Sequence, residues 1–409
     1  MSLRRPTRTV LFTVVLCGAS ALIVTTAHSL WHEKYLVQLA YEKNATVLEL
    51  LGLAEIDNLP ADDAQGLFDE FVRTEVREGV TVYTAEIDGH LVGYAFDVIG
   101  RGRHGPIRGI MAVKADRRTI LGLRIYDQHE TPGYGANVAG ERWLGRFVGK
   151  VILAPGFAEP GMIIGGSGDL PNRVDAITGA TYTSRAAAEM LNAAIRAFYS
   201  DVTLVPLQVA YPEPAFLGVT GLPQNTTALP PPKTLRPSML VPEGTVNLAA
   251  GRAVTSNDEF PVVGEVRMIT DGDKAGAAGR YVELGDPIER KAVWVQVDLG
   301  GVCEIEAILL WHFHGEPRIF RDVIVQLADD AAFTKNVRTL YNNDGDNSAG
   351  LGAGADREYV ETFQGLQVEA GSARARVVRV YTNGSVYLSG TEDPMSQFTE
   401  LEVHGGPVN

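Results

Sequence analysis

The chain has 409 residues, enough for two ordinary domains that each bury a core. Its composition is globular, 45% hydrophobic and 21% charged, and its formal net charge of −14 argues against nucleic acid as a partner, because phosphate binding needs clustered Lys and Arg. Two cysteines, Cys17 and Cys303, are too few for a disulfide framework or for a thiolate-held zinc or iron–sulfur centre within the chain.

Arg4, Arg5 and Arg8 precede an almost unbroken apolar run from Val10 to Ala27. That is about the length needed to cross a hydrocarbon core of roughly 30 Å. The basic flank predicts a cytoplasmic N-terminus and an exported remainder after about Leu30. The favoured reading is an uncleaved single-pass anchor in the cell inner membrane, with Trp31 at the interface and the bulk of the chain on the periplasmic side. The rival reading is a cleaved secretory signal ending near Ala27-His28-Ser29.

From Tyr35 to Glu55 the spacing of Leu36, Leu39, Ala40, Val47, Leu48, Leu50 and Leu51 predicts a helix ended by Gly52. Strand-like segments follow at Thr81–Ala85, Leu91–Val98, Ile110–Val113 and Ile120–Tyr126, with a Gly/Arg-rich loop from Gly100 to Gly109. A second helix is expected from about Ser184, its apolar face marked by Leu191, Ala194, Ile195 and Phe198. Residues 31–204 therefore read as an α+β domain. Residues 205–245 hold nine prolines and read as a linker or a surface-hugging strap. Residues 246–409 alternate in short runs (Val293, Val295, Val297 and Leu299; Val323, Val325 and Leu327; Leu401 and Val403), which predicts an all-β jelly-roll sandwich.

Just before the second helix stands Asp175-Ala176-Ile177-Thr178-Gly179-Ala180-Thr181-Tyr182-Thr183-Ser184. Small residues clear an approach to the Thr181 hydroxyl, Asp175 and Thr178 offer polar handles, and a helix start presents unpaired N–H groups that suit a phosphate. Taken alone, such a turn is mostly a hydroxyl-capped helix start. Upstream lie Tyr41–Leu53, Glu130-Thr131-Pro132-Gly133-Tyr134-Gly135, Trp143 and Phe147-Val148-Gly149-Lys150. With these segments in this order, residues 8–200 resemble the FMN-binding domain found in the C subunit of the Na⁺-translocating NADH:quinone reductase and in the G subunit of the related Rnf electron-transport complex. The resemblance implies FMN joined through its phosphate to Thr181 by a separate flavin transferase, on the extracytoplasmic side. It implies flavin contacts from Asp175, Thr178, Gly179, Ala180, Thr183, Thr131 and Tyr134, and leaves Lys150 as either a charge partner or a solvated lysine. Tyr134 stands where the family usually has Leu. The implied partners are other redox subunits of an ion-translocating complex. No residue here is assigned a catalytic role, and no nicotinamide-binding glycine fingerprint follows a strand.

The β region carries Asn247-Leu248-Ala249, Val254-Thr255-Ser256, Ile269-Thr270-Asp271-Gly272-Asp273, Trp294–Gly300 and Glu400–Gly405. These resemble the discoidin, or coagulation-factor type C, family of galactose-binding-like domains. That resemblance implies a structural Ca²⁺ held by Asp271, Asp273 and Glu400. Trp311, His312, Arg318 and Asn343 are the candidate rim for a glycan or surface protein, while His312 and His314 as a metal pair lack an obvious third ligand. The first functional expectation is thus an electron-relaying flavoprotein. The alternatives are a surface carbohydrate- or protein-binding molecule with an accessory flavin domain, and a free-standing periplasmic flavin reductase.

Overall fold

The computed structural model describes residues 5–55, 60–285 and 292–408; Arg4 of the basic flank lies outside them. Two compact units emerge: Met1–Lys114, Thr119–Lys150 and Met162–Phe198 in one, and Ala115–Arg118, Val151–Gly161 and Tyr199–Asn409 in the other.

In the first unit, α1 runs unbroken from Arg5 to Leu50. The expected membrane segment and the helix after Tyr35 are one element, because no Gly or Pro interrupts residues 27–35. Its window Thr9–Thr26 has a mean hydropathy of 2.1 and no buried residue, and is long and apolar enough to cross a membrane. Gly52, at φ +68, ends the helix, with the Leu53 amide donating back to the Leu48 carbonyl at 2.8 Å. Next come α2 (Ala61–Phe71) and five strands: β1 (Val72–Arg77), β2 (Val80–Ile87), β3 (His90–Arg101), β4 (Pro106–Lys114) and β5 (Ile120–Asp127). The strands pair in sequence order as an antiparallel meander. Neither α2 nor β1 was expected from the sequence, and the anticipated long Gly/Arg loop shrinks to the short connection between β3 and β4.

Alternation along β3 sorts its side chains to two helical layers. Ala95 joins Val47, Leu48 and Leu51 of α1 and Phe68 of α2 in one core, and Asp97 on the same face accepts hydrogen bonds from Lys43 Nζ (2.8 Å) and Tyr83 Oη (3.0 Å). On the opposite face Phe96 stacks against Phe198 at 4.8 Å between centroids. Phe198 belongs to the last long helix of this unit, Thr181–Phe198. A one-turn α3 (Glu141–Leu144) and the short parallel pair β6 (Ile163–Ile164) and β7 (Arg173–Val174) precede that helix, which is therefore α4.

The second unit is sheet-rich. Its strands are β8 (Leu204–Pro206), β9 (Leu240–Pro242), β10 (Val246–Asn247), β11 (Val254–Ser256), β12 (Val282–Leu284) and β13 (Val293–His312). They continue with β14 (Arg318–Phe320), β15 (Ile324–Ala328), β16 (Arg338–Asn342), β17 (Leu366–Thr382), β18 (Ser385–Tyr387), β19 (Glu392–Asp393) and β20 (Ser396–Pro407). The main sheet follows the path β10-β20-β13-β17-β15-β16, with β11 and β12 attached to β13 and β20, and a small sheet orders β14-β18-β19. Val293, Val295, Val297, Leu299, Val323, Val325, Leu327, Leu401 and Val403 all enter the main core, as their alternation predicts.

The proline-rich segment packs along this unit. β8 pairs with β9, and Leu207, Met239 and Val241 bury against Ala307, Leu309 and Trp311 on the second face of β13. Farther along, Ala228 packs on Ile319, Val360 and Val386, while Thr226 Oγ1 donates to Glu358 Oε2 at 2.5 Å.

Candidate functional site

The hydroxyl-rich motif ends in α4, and α4 begins at Thr181, three residues before the expected start. Ser184 makes the difference: its amide and its hydroxyl both donate to the Ala180 carbonyl (2.9 and 3.0 Å), and its Oγ accepts the Ile177 N–H at 2.9 Å. One side chain thus clasps the turn to the helix. Thr181 is left exposed as the first helical residue, among the amides of the first turn that lack intrahelical acceptors.

Gly179 adopts φ +75, a left-handed conformation that favours glycine, and a Cβ built there would meet the Tyr134 ring at 3.5 Å. The turn therefore lies against an aromatic ring that is itself 60% exposed. Tyr134 belongs to the Glu130–Gly135 loop, which is folded on itself by the Thr131 carbonyl accepting from the amides of Tyr134 (3.2 Å) and Ala136 (3.1 Å). Thr131, Thr178 and Asp175 are exposed, and Ala180 is buried.

Glu130 locks this loop to α4. Its buried carboxylate accepts from Thr183 Oγ1 at 2.7 Å and from the His104 amide at 2.9 Å. Burial alone would raise its pKa; the amides of His104 and Arg103 and the Thr183 hydroxyl outweigh that and hold it below the usual carboxylate range. Thr183 is buried and committed to Glu130, so its hydroxyl supports the loop. The third motif reaches the same turn: Trp143 Nε1 donates to the Asp175 carbonyl at 2.9 Å, Trp143 packs edge-on to Phe147 at 4.9 Å, and Arg146 pairs with the Asp175 carboxylate at 3.2 Å.

Among the described residues, the Lys150 side chain makes no hydrogen bond or ion pair with this cluster; its carbonyl accepts from the Ile120 amide at the start of β5, and its amide donates to the Phe147 carbonyl. The sequence alone gave Glu130, Trp143 and Phe147 no individual part in the site. Nothing local in the sequence marks the Glu130–Thr183 bond, which joins residues 53 apart. The surroundings of Thr181 suit a flavin phosphate: an exposed hydroxyl at a helix N-terminus, a glycine turn and an exposed ring.

The expectations on the β unit change more. Trp311 is wholly buried, with Nε1 donating to the Phe363 carbonyl at 2.9 Å. His312 is equally buried, stacked on Phe320 at 4.2 Å and bonded to Glu361 (3.2 Å) and Thr382 (2.9 Å). Arg318 is 2% exposed, and its two terminal nitrogens donate to Gln397, Asp393, Glu316 and Tyr387. Asn343 Oδ1 accepts from the Val323 amide at 2.7 Å. Trp311, His312 and Arg318 are internal supports, not a rim: Trp311 lies under the proline-rich segment, His312 against Phe320 and Phe398, and Arg318 within the small sheet. Asn343 is buried but lines a cavity. His314 turns Nε2 to the Lys274 carbonyl at 2.8 Å, apart from the bonds of His312, and no metal pair forms.

The calcium set is also divided. Asp273 pairs with Arg280, and among the described residues Asp271, Asp273 and Glu400 are not gathered closely enough to share an ion. Glu400 is buried, with Oε2 accepting from the Gly272 amide at 3.1 Å and Oε1 without a partner. Burial pushes its carboxyl up to about 9, with the charges of Glu402 and Asp271 adding to the rise against the Gly272 amide. Among the described residues the three carboxylates therefore do not form one close cluster, and the Gly272 amide and Arg280 are the partners that Glu400 and Asp273 show.

Comparison with known proteins bears on the first unit. Residues 102–196 match the family model of the FMN-binding domain. The chain is 34% identical over 170 residues to the G subunit of the ion-translocating oxidoreductase complex of Cereibacter sphaeroides, covering 41% of this chain and 72% of that protein. It is 34% identical over 117 residues to the C subunit of the Na⁺-translocating NADH-quinone reductase of Pseudomonas aeruginosa; the match spans 27% of this chain and 45% of that protein's length, less than half. Among solved structures, a Clostridium perfringens module in complex with GlcNAc-α-1,4-galactose matches with a TM-score of 0.28 and 13% identity, over 40% of this chain and 97% of that one. With 72% of the Cereibacter protein's length matched above 30% identity, the chain belongs to the family of FMN-binding subunits of ion-translocating oxidoreductase complexes.

Proposed function

We propose that this protein is a membrane-anchored electron-transfer flavoprotein that carries FMN covalently on Thr181, outside the cytoplasm. The observation that carries this reading is the exposed Thr181 hydroxyl at the first turn of α4, beside Gly179 and the half-open Tyr134 ring. Bound there, FMN would supply electron-transfer chemistry, with the phosphoester leaving its ring system unmodified. The chain's own part is positional. The first-turn amides of α4 face the phosphate position, Tyr134 offers a ring face, and the Glu130–Thr183 bond fixes one against the other. Attachment by a flavin transferase fits the exposure of Thr181, and a span at Thr9–Thr26 beneath basic residues fits an exported domain in the inner membrane. Redox subunits of an ion-translocating complex are the partners that the relatives' names support.

Mass spectrometry and in-gel flavin fluorescence on the chain co-produced with a flavin transferase test this. An FMN-sized mass addition should appear on the wild type and vanish in Thr181→Ala. An unmodified wild type under those conditions refutes the attachment.

A further inference from the structure

Three aspartates with no role so far converge in the second unit. Asp344 and Asp346 belong to Asp344-Gly345-Asp346-Asn347-Ser348, just after β16, and Asp322 lies between β14 and β15. One carboxylate oxygen from each lies within 4.8 Å of the others. Asp344 is fully buried, Asp322 partly buried and Asp346 exposed, so the cluster is anchored inside and open outward.

Asp322 and Asp346 line a cavity of about 680 Å³ whose wall also includes Asn343 and Ser385. Ser385 is 2% exposed, yet its hydroxyl has no hydrogen-bond partner. A buried hydroxyl without a partner costs on the order of 1–3 kcal/mol, so its presence on a polar cavity wall points to something that occupies the cavity.

From this arrangement we infer that Asp322, Asp344 and Asp346 form a site for a hard divalent cation of the calcium class, opening into the cavity that Ser385 lines. Hard oxygen donors on a turn rich in Asp, Gly and Ser match that ion class, and each carboxylate oxygen that accepts one hydrogen bond keeps a second lone pair. The ion would tie the turn after β16 to the β14–β15 connection, where at present Ser348 Oγ and Asn383 Nδ2 reach Asp322 at 2.6 and 2.8 Å. Asp271, Asp273 and Glu400 take no part.

Equilibrium dialysis of the detergent-solubilised full chain against radioactive calcium tests the proposal, with Glu400→Gln as the parent so that any ion near Glu400 is discounted. The parent should bind about one calcium per chain at millimolar calcium and melt higher with calcium than with chelator. Adding Asp322→Asn and Asp346→Asn should weaken binding at least about tenfold and remove the calcium-dependent rise in melting temperature. Should the double variant melt early in chelator, Asp346→Asn alone, an exposed change with little effect on folding, should still weaken binding severalfold. A parent that binds no calcium, or an Asp346→Asn chain that binds as tightly as its parent, overturns the site.

Discussion

Glu130→Gln is the most informative single change in the first unit. The wild-type carboxylate accepts from Thr183 Oγ1 and from the His104 amide, with the Arg103 amide also lowering its pKa. Hydrogen bonds to a buried charge contribute about 1.5–3 kcal/mol each, and an amide in its place keeps one acceptor oxygen while turning an N–H group towards donors. The expected loss is therefore about 2–4 kcal/mol, a large share of a typical domain's 5–15 kcal/mol. Glu130→Ala removes every acceptor and leaves the buried Thr183 hydroxyl without its partner, and should cost more, so glutamine is the variant that stays folded. Hydrogen exchange read by mass spectrometry isolates the effect: peptides covering residues 101–106, 130–136 and 178–185 should lose protection, while β13 and β17 should not change. Flavin occupancy at Thr181 should fall in parallel, because the loop bearing Tyr134 is no longer fixed to α4. The sign with pH follows from the depressed pKa. The carboxylate's contribution is full above the ordinary unfolded value and is lost as pH falls through the lower folded one, so wild type and variant should converge in acid. Equal protection and equal flavin content in the two proteins at neutral pH would refute the reasoning.

Gly135→Ala should act through the same lock: a Cβ there would come within 2.7 Å of both Glu130 Oε2 and Thr183 Oγ1, costing about 1–3 kcal/mol and lowering flavin occupancy in the same mass measurement. Glu400→Gln should change the pH dependence of the second unit. With a folded pKa near 9, the wild-type group's stabilisation is complete below the ordinary carboxylate range and is lost as pH rises towards 9, by up to about 1.4 kcal/mol per unit. Melting temperatures from pH 5 to 9 should therefore fall less steeply in the variant, and parallel curves would contradict the burial argument. Trp311→Ala should destabilise the second unit by about 3–5 kcal/mol in urea titrations, since the side chain is wholly buried; a change under 1 kcal/mol would return Trp311 to the surface.

The Thr181 motif was legible because its geometry is encoded within ten residues. Gly179 supplies the positive φ, Ser184 clasps the turn, and the apolar spacing of Leu191, Ala194, Ile195 and Phe198 draws α4 onto the sheet. The exact helix start was not legible, since Ser184 as a cap and Ser184 as a bond to the preceding carbonyl look identical in sequence. Glu130 was hidden differently. Its partner Thr183 lies 53 residues later, and only the packing of the Glu130–Gly135 loop on α4 brings them together.

The misplacing of Trp311 at a rim has a definite physical origin. Alternation reports the face of a strand that meets its own sheet's core, and it located Val293, Val295, Val297 and Leu299 correctly. It assumes that the other face meets water. In β13 the other face carries Ala307, Leu309 and Trp311, which meet Leu207, Met239 and Val241 from the proline-rich segment instead. Prolines removed the donors that would mark that segment as strand, so the sequence left it as a linker or a surface-hugging strap, and it is the strap that packs on Trp311. The two short strands β8 and β9 at its ends hold it in place. Trp311 on that face is then a packing residue with its indole N–H satisfied, while the buried Ser385 hydroxyl without a partner lies on the wall of the cavity that Asp322 and Asp346 line.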